Sequence, residues 1–236
     1  MIGILDSGEG GMNAARYLQG KTKESIIFFP DRKNAPYGTK TKEELIALTS
    51  DGINHLLTLG ARRVLIACCT AGTVYPYLEK SLRDISFPLL APTAREAVKE
   101  TESGRIALIA TEATVNSRAF EREILRAKSD KRCEILSIKA QQLVKIVEDC
   151  ASGEKINSGK IRIISNILAP LKNFNADTLI LGCTHFPSLE NIITPIAKRL
   201  GVKRIVSSVK AGADAFLRDS ESEEKNERKI YLSLRG

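Results

Sequence analysis

The sequence predicts an α/β fold carried mainly by parallel sheet, in two similar lobes packed closely, and three features lead to that class. Short runs of β-branched and aliphatic residues recur along the 236-residue chain and alternate with helical patterns, as βα units do. One unit occurs twice: VLIACCT places Cys68 after an apolar run, and TLILGCTHFP places Cys183 after another, roughly half a chain away. No long Pro-rich linker or low-complexity tract divides the halves. A chain of this length can bury the core of one large domain or two small ones.

Taken in order, IGIL is the first strand, and the glycines of GEGG (8–11) follow it ahead of a helix. That loop lacks both the third glycine at dinucleotide spacing and the Gly-Lys-Ser/Thr ending of a phosphate loop. Its glycines are expected to let backbone donors approach a carboxylate. IIFF is the next strand. TKEELIALTSDGINHLLTLGARR is an amphipathic helix with Thr41 at its N-cap, Glu44 completing a capping box and Gly60 as the stop. His55 falls on its apolar side and reads as a packed core residue.

RVLIA, PLLA, RIALIA, EILSI, TLILG and RIV complete the expected strands. SRAFEREILRAKSDKR (117–132) is the densest basic stretch, but glutamates interrupt it, so it reads as a solvated helix face. ASGEKINSGK (151–160) is expected to be a mobile surface connection. IRIISNILAPLKNF is helical with a break at Pro170. SESEEKNERK is charged and exposed, and KIYLSLRG returns to strand character.

Composition narrows the function classes. The apolar runs are strand-sized, far short of a membrane span. The chain starts with a strand rather than the basic start and long apolar core of a signal peptide, so a cytoplasmic location is expected. Five cysteines without short-range disulfide spacing read as reduced thiols. The net charge of +8 is spread along the chain with no aromatic-studded basic stripe. That argues for a solvated surface and against nucleic acid. A small-molecule substrate is the expected partner.

The two thiols carry the chemistry. Each stands at the exit of a strand and the mouth of a helix, where an α/β protein can expose and ionise a cysteine. Two of them on matching halves point to an enzyme that works on one carbon from both faces, which is what a racemase must do. Removing an α-proton without an electron sink requires a base on one face, an acid on the other and stabilisation of charge on the carboxylate. Asp6, closing the first strand, and His185, two residues beyond Cys183, are suited to manage those protons. The scheme needs no pyridoxal, flavin or metal. Cys68, Cys69, Cys183 and His185 lack the paired spacing of a zinc site. Cys133 and Cys150 have no such company and read as structural.

IGILDSGEGG, DRKNAPYG, LIACCTAGT and LILGCTHFP resemble the blocks of the cofactor-independent aspartate/glutamate racemase superfamily. IATEATVNSRAF (109–120) and KIYLSLRG resemble further family stretches, so the likeness spans nearly the whole chain. DSG-x-GG with PYG and GCTHFP points to the glutamate branch. The resemblance implies two pseudo-symmetric α/β lobes with the site in the cleft between them. The first lobe would hold residues 1–93 and 206–236, the second 94–205. It implies Cys68 and Cys183 as the acid/base thiols, assisted by Asp6 and His185. Ser7, Pro36, Tyr37, Gly38, Cys69, Thr70, Thr184 and, on a looser match, Glu148 would hold substrate. Interconversion of L- and D-glutamate for peptidoglycan is the expected activity, and a homodimer the expected assembly.

The sequence also departs from that pattern. Cys69 stands where the family has Asn, Asn34 where it has Arg, and Ala140 and Gln141 where it has a cysteine-proline pair. Loss of an amide contact to a charged substrate group costs on the order of 1.5–3 kcal/mol. Two alternatives therefore stay open: aspartate or another acidic amino acid as substrate, and a catalytically silent relative that binds an anionic partner.

Overall fold

The computed structural model describes residues 1–128 and 132–219. Eight strands form: β1 (Ile2–Asp6), β2 (Ile26–Pro30), β3 (Arg63–Ile66), β4 (Ser86–Pro88), β5 (Arg105–Ala110), β6 (Glu134–Lys139), β7 (Thr178–Leu181) and β8 (Arg204–Ser207). They build two four-stranded sheets, ordered β2-β1-β3-β4 and β6-β5-β7-β8, with every pairing parallel. The two sheets thus repeat one topology. β1 and β7 are buried along their whole length, and β3 and β5 beyond their first residue. Near-continuous aliphatic runs suit such strands, which helices cover on both faces.

Register places the thiols. In the first sheet the last pair between β1 and β3 is Leu5 with Ile66. In the second, the last pair between β5 and β7 is Ile109 with Leu181. Cys68 and Cys183 each lie two residues past that point. The turns also match: Ala67 N donates to Leu5 O at 2.8 Å and Gly182 N to Ile109 O at 2.9 Å. Both cysteines therefore leave equivalent C-terminal strand ends, where parallel sheets present their ligand sites.

One apolar cluster runs through both lobes. It joins Ile4 and Leu65 of the first sheet to Leu108 and Ile180 of the second, together with Phe120 and Phe216. Phe216 belongs to a helix at 208–219. It is wholly buried and meets Phe87 of β4 edge-on at 5.8 Å; burying such a ring contributes about 1.5–3 kcal/mol. Tyr17 OH donates to Asp214 in the same helix, which ties that helix to the first lobe. The expected return at residue 206 falls inside β8. We propose that the second lobe ends at Ser207 and that helix 208–219 restarts the first. SESEEKNERK and KIYLSLRG lie outside the described residues.

Local expectations fare unevenly. Helix Lys42–Thr58 forms with both bonds of the Thr41–Glu44 capping box. The expected break at Pro170 is present, between helices Ser158–Leu168 and Pro170–Phe174. PLLA is not a strand: β4 ends at Pro88, and Leu90 begins the helix Leu90–Glu100. Short apolar runs do not separate strand from buried helix by periodicity. His55 is exposed, with its ring 4.6 Å from Phe29 rather than in the core. Ala151 ends the helix Gln141–Ala151 and the last three residues of ASGEKINSGK are helical, capped by Asn157, so only 152–157 is a connection. Helix Ala119–Ala127 turns Phe120 and Ile124 inward and keeps its charged face in solvent.

Replacing Thr41 with Ala removes the oxygen that accepts from Glu44 N. Urea unfolding should show a loss of about 0.5–2 kcal/mol with an unchanged m-value.

Candidate active site

Cys68 and Cys183 line one cavity in the seam between the lobes. Ser7, Pro36, Tyr37, Gly38, Cys69 and Thr70 join its wall from the first lobe, and Glu148, Thr184 and His185 from the second. Every expected substrate residue is thus on the wall. Asp6 is not: it is fully buried behind it. Larger hollows exist, one of about 450 Å³ beside helix Leu90–Glu100, but no thiol faces it. Free space in the seam cavity is only about 20 Å³, room for a water molecule. That space is smaller than an amino acid.

Each thiol has a polar side chain close beside it. Cys68 Sγ lies 3.5 Å from Ser7 Oγ, and Cys183 Sγ lies 3.6 Å from His185 Nδ1. On its other side, His185 Nε2 stands 3.7 Å from Glu148 Oε1. Asp6 reaches across the seam: its Oδ2 accepts from Thr184 Oγ1 at 2.9 Å, while Oδ1 accepts from Gly8 N at 2.8 Å. The GEGG backbone therefore does meet a carboxylate, but it is the chain's own Asp6. Gly10 and Gly11 serve close approach instead: a Cβ on Gly10 would press on Thr184 and His185, and one on Gly11 on Asp6.

A second polar contact crosses the seam. Thr70 Oγ1 lies 2.9 Å from Thr111 Oγ1 and 3.1 Å from Thr114 Oγ1. Thr111 follows β5 as Ser7 follows β1, so the site residue missed in the sequence stood in the stretch IATEATVNSRAF, at the matching strand end. Gln141, noted in the sequence only as a departure, also lines the cavity. Asn13 is a further addition: its Nδ2 donates to Thr184 O at 2.8 Å.

The departures find physical accounts. Asn34 Nδ2 donates to both oxygens of Asp31, at 3.0 and 2.9 Å, and Tyr37 OH donates to Asp31 Oδ2 at 2.7 Å. Asn34 thus fixes the carboxylate that fixes Tyr37. Cys69 faces away from Cys68 into the core shared by the lobes, while Cys68 packs with the first lobe's own cluster.

Burial governs the ionisation of the site. It pushes the Cys68 thiol up to about 11, with the nearby Asp6 charge adding to the effect. Cys183 is raised well above its ordinary value for the same first reason, with Cys69, Cys68 and Asp6 contributing. The expected help from helix N-termini is small. Only a four-residue helix, Cys69–Gly72, follows Cys68, and a 3-10 turn, Phe186–Leu189, separates Cys183 from the next helix. Burial raises Asp6 to about 6 and lowers His185 to about 4. At neutral pH the imidazole is uncharged, so its contact with Glu148 is not an ion pair.

Fold and site define a bilobal α/β protein with Cys68 from one lobe and Cys183 from the other on the wall of a shared cleft. A family profile described as Asp/Glu/Hydantoin racemase matches residues 16–216. A glutamate racemase of Lactococcus lactis subsp. cremoris is 38% identical over 194 residues, which cover 81% of this chain and 69% of that one. The crystal structure of a glutamate racemase isoform from Bacillus anthracis superposes with a TM-score of 0.82 at 28% identity, covering 94% of this chain and 82% of that one. Escherichia coli glutamate racemase in complex with L-glutamate and activator superposes with a TM-score of 0.71 at 25% identity, covering 92% and 80%. The chain belongs to the Asp/Glu/hydantoin racemase family.

The two shifted helpers predict opposite pH trends. Asp6 is raised from 3.8 to about 6, so its contribution to stability is complete below pH 3.8 and is lost as pH rises through about 6. Against wild type, Asp6→Asn should gain on the order of 2–3 kcal/mol in urea stability between pH 4 and 7. His185 is lowered from 6.5 to about 4, so its contribution holds above 6.5 and is lost as pH falls to about 4. His185→Gln should therefore gain on wild type as the pH falls through that window. A gap that stays flat with pH, for either variant, contradicts the assignment.

Proposed function

We propose that this chain is a cofactor-independent glutamate racemase that interconverts L- and D-glutamate by proton transfer at Cα. The observation that carries the reading is the pair of thiols at equivalent strand ends on one cavity wall. The names of its relatives supply the substrate: the Lactococcus relative and both structural neighbours are glutamate racemases.

The lobes open to admit glutamate and close to exclude water. The thiolate of one cysteine takes the α-proton, and the thiol of the other delivers a proton to the opposite face. The roles reverse for the other enantiomer. Burial by itself holds both thiols protonated. The substrate's ammonium brings the positive charge that stabilises a thiolate in that dry site. Ser7 shares a hydrogen bond with Cys68, and neutral His185 receives or returns a proton at Cys183 with Glu148 beyond it. Asp6 bears on both thiols electrostatically from behind the wall. Backbone N–H groups of the seam hold the carboxylates.

Among the described residues no helix is long and apolar enough to cross a membrane. A cytoplasmic enzyme that supplies D-glutamate to peptidoglycan, and that acts as a homodimer, completes the proposal.

Incubation in D₂O tests it. Both enantiomers of glutamate should gain deuterium at Cα, faster than aspartate does. Cys68→Ala and Cys183→Ala should each lower racemisation by roughly 10²–10⁴-fold or more. If clean, reduced protein exchanges neither enantiomer, the reading is wrong.

A further inference from the structure

Gln141 stands apart from the proton-transfer groups. It opens the helix Gln141–Ala151 in the second lobe, and its carboxamide packs against Gly38 of the first. A Cβ at position 38 would collide with the amide's carbonyl oxygen, so glycine there is what lets the amide in. That oxygen, Oε1, is buried and has no hydrogen-bond partner among the described residues. Gln141 is also the one carboxamide on the wall of the cavity that holds both thiols.

A buried carbonyl left unpaired is destabilising, and native proteins pair nearly all such groups. The neighbouring hydroxyls are engaged elsewhere, Ser7 Oγ with Cys68 Sγ at 3.5 Å. Tyr37 OH donates to Asp31 at 2.7 Å, Thr184 Oγ1 to Asp6 at 2.9 Å, and Thr70 sits in a hydroxyl cluster with Thr111 and Thr114. The thiols are weak donors. A ligand group with N–H hydrogens completes the pairing. The substrate's α-ammonium has three, and its charge strengthens the bond it makes to a neutral carbonyl.

We infer that Oε1 of Gln141 accepts a hydrogen bond from the α-ammonium of the amino-acid substrate, so that Gln141 selects amino acids over dicarboxylates without an amine. The inference rests on the racemase reading above. It places Gln141 among the binding groups, with no proton passing through the amide.

Calorimetric binding of L-glutamate and of glutarate, which is glutamate without its amine, separates the roles. Gln141→Leu should weaken glutamate roughly ten- to a hundredfold, and glutarate affinity should stay within about twofold of wild type. Gln141→Ala is measured alongside, so that a Leu variant that fails to fold does not decide the matter. Unchanged glutamate affinity in the folded variants overturns the inference. So does parallel weakening of both ligands, which would mean a structural role or a bond from the amide nitrogen to a carboxylate. The D₂O exchange of the unaltered chain reads the racemase proposal separately. Exchange with no effect at Gln141 removes only this inference, whereas wild type that neither exchanges nor binds glutamate removes both.

Discussion

Everything at the seam depends on the shared register of two parallel sheets. Leu5 with Ile66, and Ile109 with Leu181, are the last paired rungs of their central strands. Two residues past each rung the chain presents a sulfur. A slip of one residue in either sheet would turn that side chain to the opposite face, so packing of the aliphatic strands into a common core controls where the thiols stand. The apolar cluster that spans the lobes locks this arrangement from below.

Above that core small polar groups join the lobes at the site. Thr184 binds Asp6 across the seam in one direction, and Thr70 meets Thr111 and Thr114 in the other. Gly10 and Gly38 take these contacts close to van der Waals limits, because a methyl group at either position would strike the facing lobe. Such an interface closes tightly, which suits the proposed opening of the lobes to admit a ligand and their closing to exclude water.

Desolvation is the strongest electrostatic effect in the cleft. It raises Asp6 and both thiols and lowers His185, pushing each group toward its neutral form. The helix termini near the cysteines are too short to reverse this. On the proposed mechanism, ionisation of a thiol waits for a charged ligand, and proton transfer is confined to the occupied site. This couples chemistry to binding without a metal-like charge built into the wall.

The sequence by itself determined what is local or periodic. The aliphatic runs announced the parallel sheets, and Thr41 with Glu44 announced a helix start because a capping box spans only four neighbouring residues. The repeated strand–cysteine–threonine unit identified the thiols and, with its flanking motifs, nearly all of the cavity wall. Misreadings fell where local pattern is ambiguous: PLLA, whose leucines begin a buried helix, and His55, whose side chain rests on Phe29 at the surface. Tertiary structure alone decided that Asp6 bonds to Thr184, 178 residues away, and that Gln141 fills the space Gly38 leaves. It also decided the charge state of the thiols. Those outcomes depend on distance across the seam and on exclusion of water, and neither quantity exists until the lobes have packed together.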